Sequence, residues 1–111
     1  MEMNSYQVEH VNVLEISGSF DIYTAAQVRN WVDQATQAIP ANIVIDLSEV
    51  GFIDSTALAT LIQGIKRART NQGDIRLSGL RQPVRMVLEL TRLDKVFEIY
   101  AHKEDAIKAF K

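Results

Sequence analysis

Ile43-Val44-Ile45-Asp46-Leu47-Ser48-Glu49-Val50-Gly51-Phe52-Ile53-Asp54-Ser55-Thr56-Ala57-Leu58 is the stretch on which the fold turns. Its first three residues form a continuous β-branched run. Such a run predicts a strand buried on both faces, in the middle of a partly parallel sheet. A loop over 48–54 is expected to follow, and a helix to begin near Ser55. The helix has its apolar stripe at Leu58, Leu61, Ile62 and Ile65, spaced for one helical face. Gly73 reads as its terminator.

Upstream, Tyr6 and Val8 alternate with polar residues, and Val13-Leu14-Glu15-Ile16 follows a break at 10–12. This predicts a hairpin. Thr24 reads as a helix N-cap with Gln27 completing a capping box. Ala25, Val28, Val32, Ala35 and Ile39 give that helix one stripe, and Pro40 stops it. Downstream, Ile75 and Leu77 alternate with Arg76 and Ser78, which predicts a strand with one wet face. Pro83 fits the first turn of a third helix carrying Val84, Val87 and Leu88. Val96-Phe97-Glu98-Ile99 reads as a last short strand, and Ala106, Ile107 and Phe110 as a last amphipathic helix. Alternating strands and helices imply an α/β sheet with parallel pairs and right-handed crossovers. Ligands and partners of open sheets gather beyond the carboxyl ends of the strands. Three loops, 18–23, 48–54 and 79–82, are expected to meet there.

The chain has 111 residues, enough for one domain spanning 1–111. With 47% apolar and 23% charged residues it is composed as a folded protein. The absence of cysteine removes disulfides, thiolate catalysis and cysteine-ligated zinc. No apolar run approaches the ~20 residues of a membrane span, and the acidic, polar start at Met1-Glu2-Met3 is unlike a signal peptide. A cytoplasmic protein without membrane insertion is expected. A net charge of −2 argues against nucleic acid as a partner. Residues 1–55 carry eight acids and one base, whereas 66–95 carry eight bases and three acids. That asymmetry reads either as solvated helix faces or as a polarised surface that steers a partner.

Asp54-Ser55-Thr56 stand where the first turn of a helix begins. One reading is plain capping, since Asp, Ser and Thr are the favoured cap residues. The other is a modification site. A helix N-terminus has unpaired N–H groups and a positive dipole end that welcome an anion. A phosphate on Ser55 would add about −1.5 to −2 charges beside Asp54. Ile53 is expected in the core and Trp31 at its rim. Phe52 is a candidate exposed anchor, because interface hot spots favour aromatics.

The segment Phe52-Ile53-Asp54-Ser55-Thr56-Ala57-Leu58 resembles the signature of the STAS domain, the sulfate transporter and anti-sigma factor antagonist family. Its pattern is Asp-Ser-Ser/Thr-Gly-Leu opening a helix. Gly18-Ser19-Phe20-Asp21 resembles the family's Gly-x-x-Asp after the second strand. The resemblance implies a single STAS-like α/β domain, with a mixed sheet of four to five strands and about four helices packed mainly on one face. It implies phosphorylation at Ser55, with Thr56 as a secondary site, and a partner-facing surface of Asp21, Phe52, Asp54, Ser55 and Thr56. It also implies partner switching. The unphosphorylated form binds an anti-sigma factor that is itself a serine kinase; phosphorylation releases it, and a metal-dependent serine phosphatase resets the cycle. No cofactor is implied for the chain itself. One departure stands out: Ala57 replaces the usual glycine, which narrows backbone freedom beside the phosphosite. The alternative within the family is a docking subunit of a transport or stress-sensing complex that has no phosphorylation switch.

Enzymatic readings find little support. No Gly-x-Ser-x-Gly elbow surrounds Ser55, and no Gly-rich phosphate loop precedes a Lys-Ser or Lys-Thr pair. His10 and His102 are the only histidines, and both read as surface residues. No metal-ligand spacing is present.

Overall fold

In the computed structural model, which describes residues 1–110, the chain forms five strands, four α-helices and one 3-10 turn. They are β1 (Glu2–Val8), β2 (Val11–Phe20), α1 (Ala25–Ala35), β3 (Asn42–Ile53), α2 (Ser55–Thr70), β4 (Asp74–Ser78) and α3 (Gln82–Leu90). The 3-10 turn Leu93–Lys95, β5 (Ile99–Tyr100) and α4 (Lys103–Lys108) complete the chain. One sheet runs in the order β1-β2-β3-β4-β5. β1 and β2 are antiparallel, and every later pairing is parallel.

The central strand is buried on both faces, as its β-branched run predicts. Ile43 and Ile45 enter the large core beneath α1, α2 and α3, while Val44 joins Val11, Val13 and Ala106 under α4. Three helices therefore cover one face and the short α4 covers the other. No helix among the described residues is long and apolar enough to cross a membrane.

The expected loop over 48–54 is instead strand up to Ile53. Beyond Asp46, β3 leaves β4 and continues beside β2 alone. Two irregularities each place one extra residue on β3: Glu15 and Ser17 face Asp46 and Glu49, then Gly18 and Ser19 face Val50 and Phe52. Each bulge shifts the alternation by one residue. Leu47, Val50 and Ile53 thus all point into the core, at spacings of three rather than two. That broken period hid the strand in the sequence.

Other expectations need correction. Thr24 does not cap α1 with its side chain. Its hydroxyl accepts from the Asp21 N–H and donates to the Ser19 carbonyl, so it ties down the loop before the helix. α1 stops at Ala35, four residues short of Ile39, which is exposed. Gly73 is not the residue that turns the chain at the end of α2, because Gln72 takes the left-handed conformation. The β4 face expected to be wet is covered. Ser78 is buried, and the Arg76 guanidinium lies 3.9 Å from the centroid of the Phe110 ring beside α4. The last strand is only Ile99–Tyr100, because the 3-10 turn holds Phe97 in the core.

An ion pair between Lys103 and Glu15 pins α4 to β2, and Asn4 and Tyr6 also donate to Glu15. Hydrogen bonds from Lys103 and Asn4 hold the Glu15 carboxyl below its ordinary value of 4.5. A carboxyl depressed by folding stabilises the native state above its unfolded pKa. That contribution fades as pH falls through the folded pKa. Glu15→Gln should therefore lower the melting temperature at pH 7 and flatten its decline below about pH 4.5. A thermal melt series across acid pH checks this; parallel curves for the two proteins would count against it.

Candidate functional site: the start of the second helix

Asp54 organises the site. Its backbone is extended and its Oδ1 accepts from the Ala57 N–H at 3.0 Å, so it is the N-cap of α2. Its Oδ2 accepts from the Ile22 N–H at 2.9 Å, and its own N–H donates to the Phe20 carbonyl. One carboxylate thus joins the helix start to the loop after β2. Capping is part of the answer, then, and the cap is Asp54 rather than Ser55.

Ser55 occupies the first helical position and is exposed. Thr56 is half-buried, with its carbonyl accepting from the Thr60 hydroxyl. Of the two hydroxyls, Ser55 is the more accessible. Ala57 is fully buried in the core and lies in ordinary right-handed helix. The position needs no glycine conformation, and the methyl group adds apolar contact.

Asp21 lies in the same loop as Ile22, next to the site as expected, but its carboxylate is turned into its own turn. Oδ1 accepts from the Tyr23 N–H at 3.0 Å, and the Asp21 carbonyl receives the N–H groups of Thr24 and Ala25. Asp21 therefore shapes the loop that presents Ile22 and Tyr23.

Those two residues were missed by sequence reasoning. Ile22 is 62% exposed and Tyr23 89%. The Ile22 N–H bond to Asp54 brings their loop to the helix start. Phe52, 54% exposed, stands two residues before Asp54 at the end of β3, so exposed apolar side chains rim the Asp54–Ser55 step from both segments. The signal available was the apolar pair Ile22-Tyr23 ahead of a helix stripe that does not include it. Ile53 is core and Trp31 packs at the core's edge, both as expected. His10 and His102 are exposed.

The three expected loops meet pairwise rather than at one point: 18–23 reaches Asp54 through the Ile22 N–H, and 79–82 meets the opposite end of 48–54. Arg81 makes that second junction, donating to the Ser48 carbonyl at 2.8 Å and to Glu49 at 3.1 Å. Ser48 stands roughly 20 Å of extended chain before Ser55. The charge asymmetry of the sequence is partly consumed in such pairs, Arg81 with Glu49 and Arg67 with Asp33.

Comparison with known proteins places this arrangement. The STAS domain model matches residues 2–106. The anti-sigma-B factor antagonist of Listeria monocytogenes is 28% identical over 99 residues, covering 89% of this chain and 86% of that one. The anti-sigma-F factor antagonist RsfB of Mycobacterium tuberculosis is 31% identical, over 87% of this chain and 79% of its own. A crystal structure of an anti-sigma factor antagonist from Mycobacterium paratuberculosis superposes with a TM-score of 0.87 at 28% identity, covering 97% and 92% of the two chains. The Asp54–Ser55 helix start sits within the matched span, and the chain belongs to the STAS domain family.

Proposed function

We propose that this chain is an anti-sigma factor antagonist that works by partner switching, with Ser55 as the switch. The observation that carries the reading is an exposed hydroxyl at the first position of α2, framed by Asp54 and by an apolar rim of Phe52, Ile22 and Tyr23. In the unphosphorylated state the patch carries one carboxylate, Asp54, satisfied by the Ala57 and Ile22 N–H groups, beside the neutral Ser55 hydroxyl, and is apolar at its edge. It suits burial against an anti-sigma factor, which in this scheme is also the serine kinase. Relatives named as anti-sigma factor antagonists, aligned over most of the chain, support the same partner class.

Phosphate on Ser55 changes the patch more than the fold. The first helical N–H groups and the helix dipole accommodate the anion. For the partner, however, a dianion next to the Asp54 carboxylate has to be desolvated in the interface, and that cost releases it. A metal-dependent serine phosphatase completes the cycle. In this role the chain binds rather than catalyses, and nucleotide belongs to the kinase.

The rim provides a direct test. Phe52→Ala removes a half-exposed ring, so the melting temperature should hold. Affinity for the cognate anti-sigma factor should fall about tenfold or more, as for an aromatic hot spot. Titration calorimetry of the pair decides it: unchanged affinity would remove Phe52 from the interface and leave the docking-subunit reading the stronger.

A further inference from the structure

β1 is a seven-residue edge strand, and every residue except Met3 is exposed. An unpaired edge of this length is usually blunted by lysine, proline, a bulge or a covering element. β1, Glu2-Met3-Asn4-Ser5-Tyr6-Gln7-Val8, has no lysine or proline, and its register with β2 is uninterrupted. The opposite edge, β5, is protected by being only two residues long.

The direction of the free groups follows from the hairpin. Val8 pairs with Val11 across the two-residue turn at Glu9-His10. Residues flanking such a turn exchange their own N–H and C=O groups, and the pattern alternates along the strand. Val8, Tyr6, Asn4 and Glu2 therefore spend their main-chain groups on β2. Gln7, Ser5 and Met3 point theirs outward.

We infer that β1 pairs antiparallel with β1 of a second copy of this chain, about a two-fold axis at Ser5, to give a continuous ten-stranded sheet. That register sets Ser5 opposite Ser5 and Met3 opposite Gln7. It matches all three outward-pointing residues with outward-pointing partners. On the remaining positions Glu2 faces Val8 and Asn4 faces Tyr6, so the strand's one charge meets no like charge. Shifting the register by two residues leaves an outward group unmatched. The contact is isologous and uses up the long edge of both copies, so assembly closes at the dimer. Its small area places it among weak, concentration-dependent associations. The inference rests on the strand edge alone and is independent of the role of Ser55.

Sedimentation velocity from about 1 µM to about 1 mM tests it, together with two variants. The wild type should pass from monomer to dimer across that range. Ser5→Lys places two cations at the axis and should raise the dissociation constant at least tenfold, with an unchanged melting temperature because the Ser5 side chain is exposed. Ser5→Cys in this cysteine-free chain should give a covalent dimer on mild oxidation, since facing Cα atoms at an antiparallel pair lie within disulfide reach. Gln7→Cys should not, because its partner is Met3. A wild type that stays monomeric throughout would overturn the proposal. So would a dimer that survives Ser5→Lys and is not trapped by Ser5→Cys.

Discussion

Ser55→Asp is expected to weaken binding to the anti-sigma partner by about 100-fold, roughly 2.7 kcal/mol, while leaving the fold intact. Asp54 already holds a carboxylate at the helix start, committed to the Ala57 and Ile22 N–H groups. A second carboxylate one residue on crowds the first. Within an interface it is a buried, unpaired charge, the costly case for electrostatics. In the free protein the same residue lies in the first turn of α2, where an acid is favoured by a few tenths of a kcal/mol. Melting temperature and affinity should therefore move in opposite directions, or the melting temperature should stay level. Ser55→Ala provides the contrast. Because Asp54 is the cap, losing the Ser55 hydroxyl removes no cap bond and should cost well under the ~1 kcal/mol of a true cap. It should keep full affinity and resist phosphorylation, giving an antagonist that stays bound. Calorimetric titrations and thermal melts on the same three proteins check both effects; equal affinity for Ser55→Asp and wild type would refute the electrostatic account.

The largest effect on stability is expected at Gly73. Gly73 donates its N–H to the Ala68 carbonyl, and the following Asp74 N–H reaches the Ala41 carbonyl. This brings the two backbones so close that a Cβ on Gly73 would lie 2.0 Å from the Ala41 oxygen and 2.2 Å from its carbonyl carbon. Neither is the end of a flexible side chain. Relief requires moving the start of β3 against β4, at the point where their pairing begins with Asn42 opposite Asp74. Gly73→Ala should cost at least about 3 kcal/mol, the upper range for overpacking. Gly51→Ala is the fitting control, since nothing lies within 4 Å of a Cβ there. Urea denaturation of the two variants should separate them clearly, and a loss under 1 kcal/mol at Gly73 would show that the chain relaxes around the clash.

Much of this architecture could be read from local patterns, and the exceptions have physical causes. The run Ile43-Val44-Ile45 announced a doubly buried strand because both faces are covered. The far half of the same strand escaped notice because two bulges convert its inward spacing from two to three, so Leu47, Val50 and Ile53 match neither strand nor helix periodicity. Gly73 was correctly singled out but for the wrong reason, since a close backbone approach leaves no trace in sequence. Arg76 looked like a solvated position because a guanidinium packed on Phe110 depends on where the distant α4 lands. At the site, Asp54, Ser55 and Phe52 stood out in one short segment. The Asp54–Ile22 bond, which brings a loop from the end of β2 to the helix start, joins residues more than thirty positions apart. Only the folded sheet supplies that link, and with it the exposed pair Ile22 and Tyr23.

The central claim is that phosphate at Ser55 and partner binding exclude each other. Mapping phosphate on the chain isolated from its native cells, in two pools, tests this most directly: chain captured in complex with the anti-sigma kinase, and chain that is free. The account predicts phosphate on Ser55 in the free pool and an unmodified Ser55 in the complex. Phosphate on Ser55 in the complex, phosphate confined to Thr56, or no phosphate in either pool would contradict it.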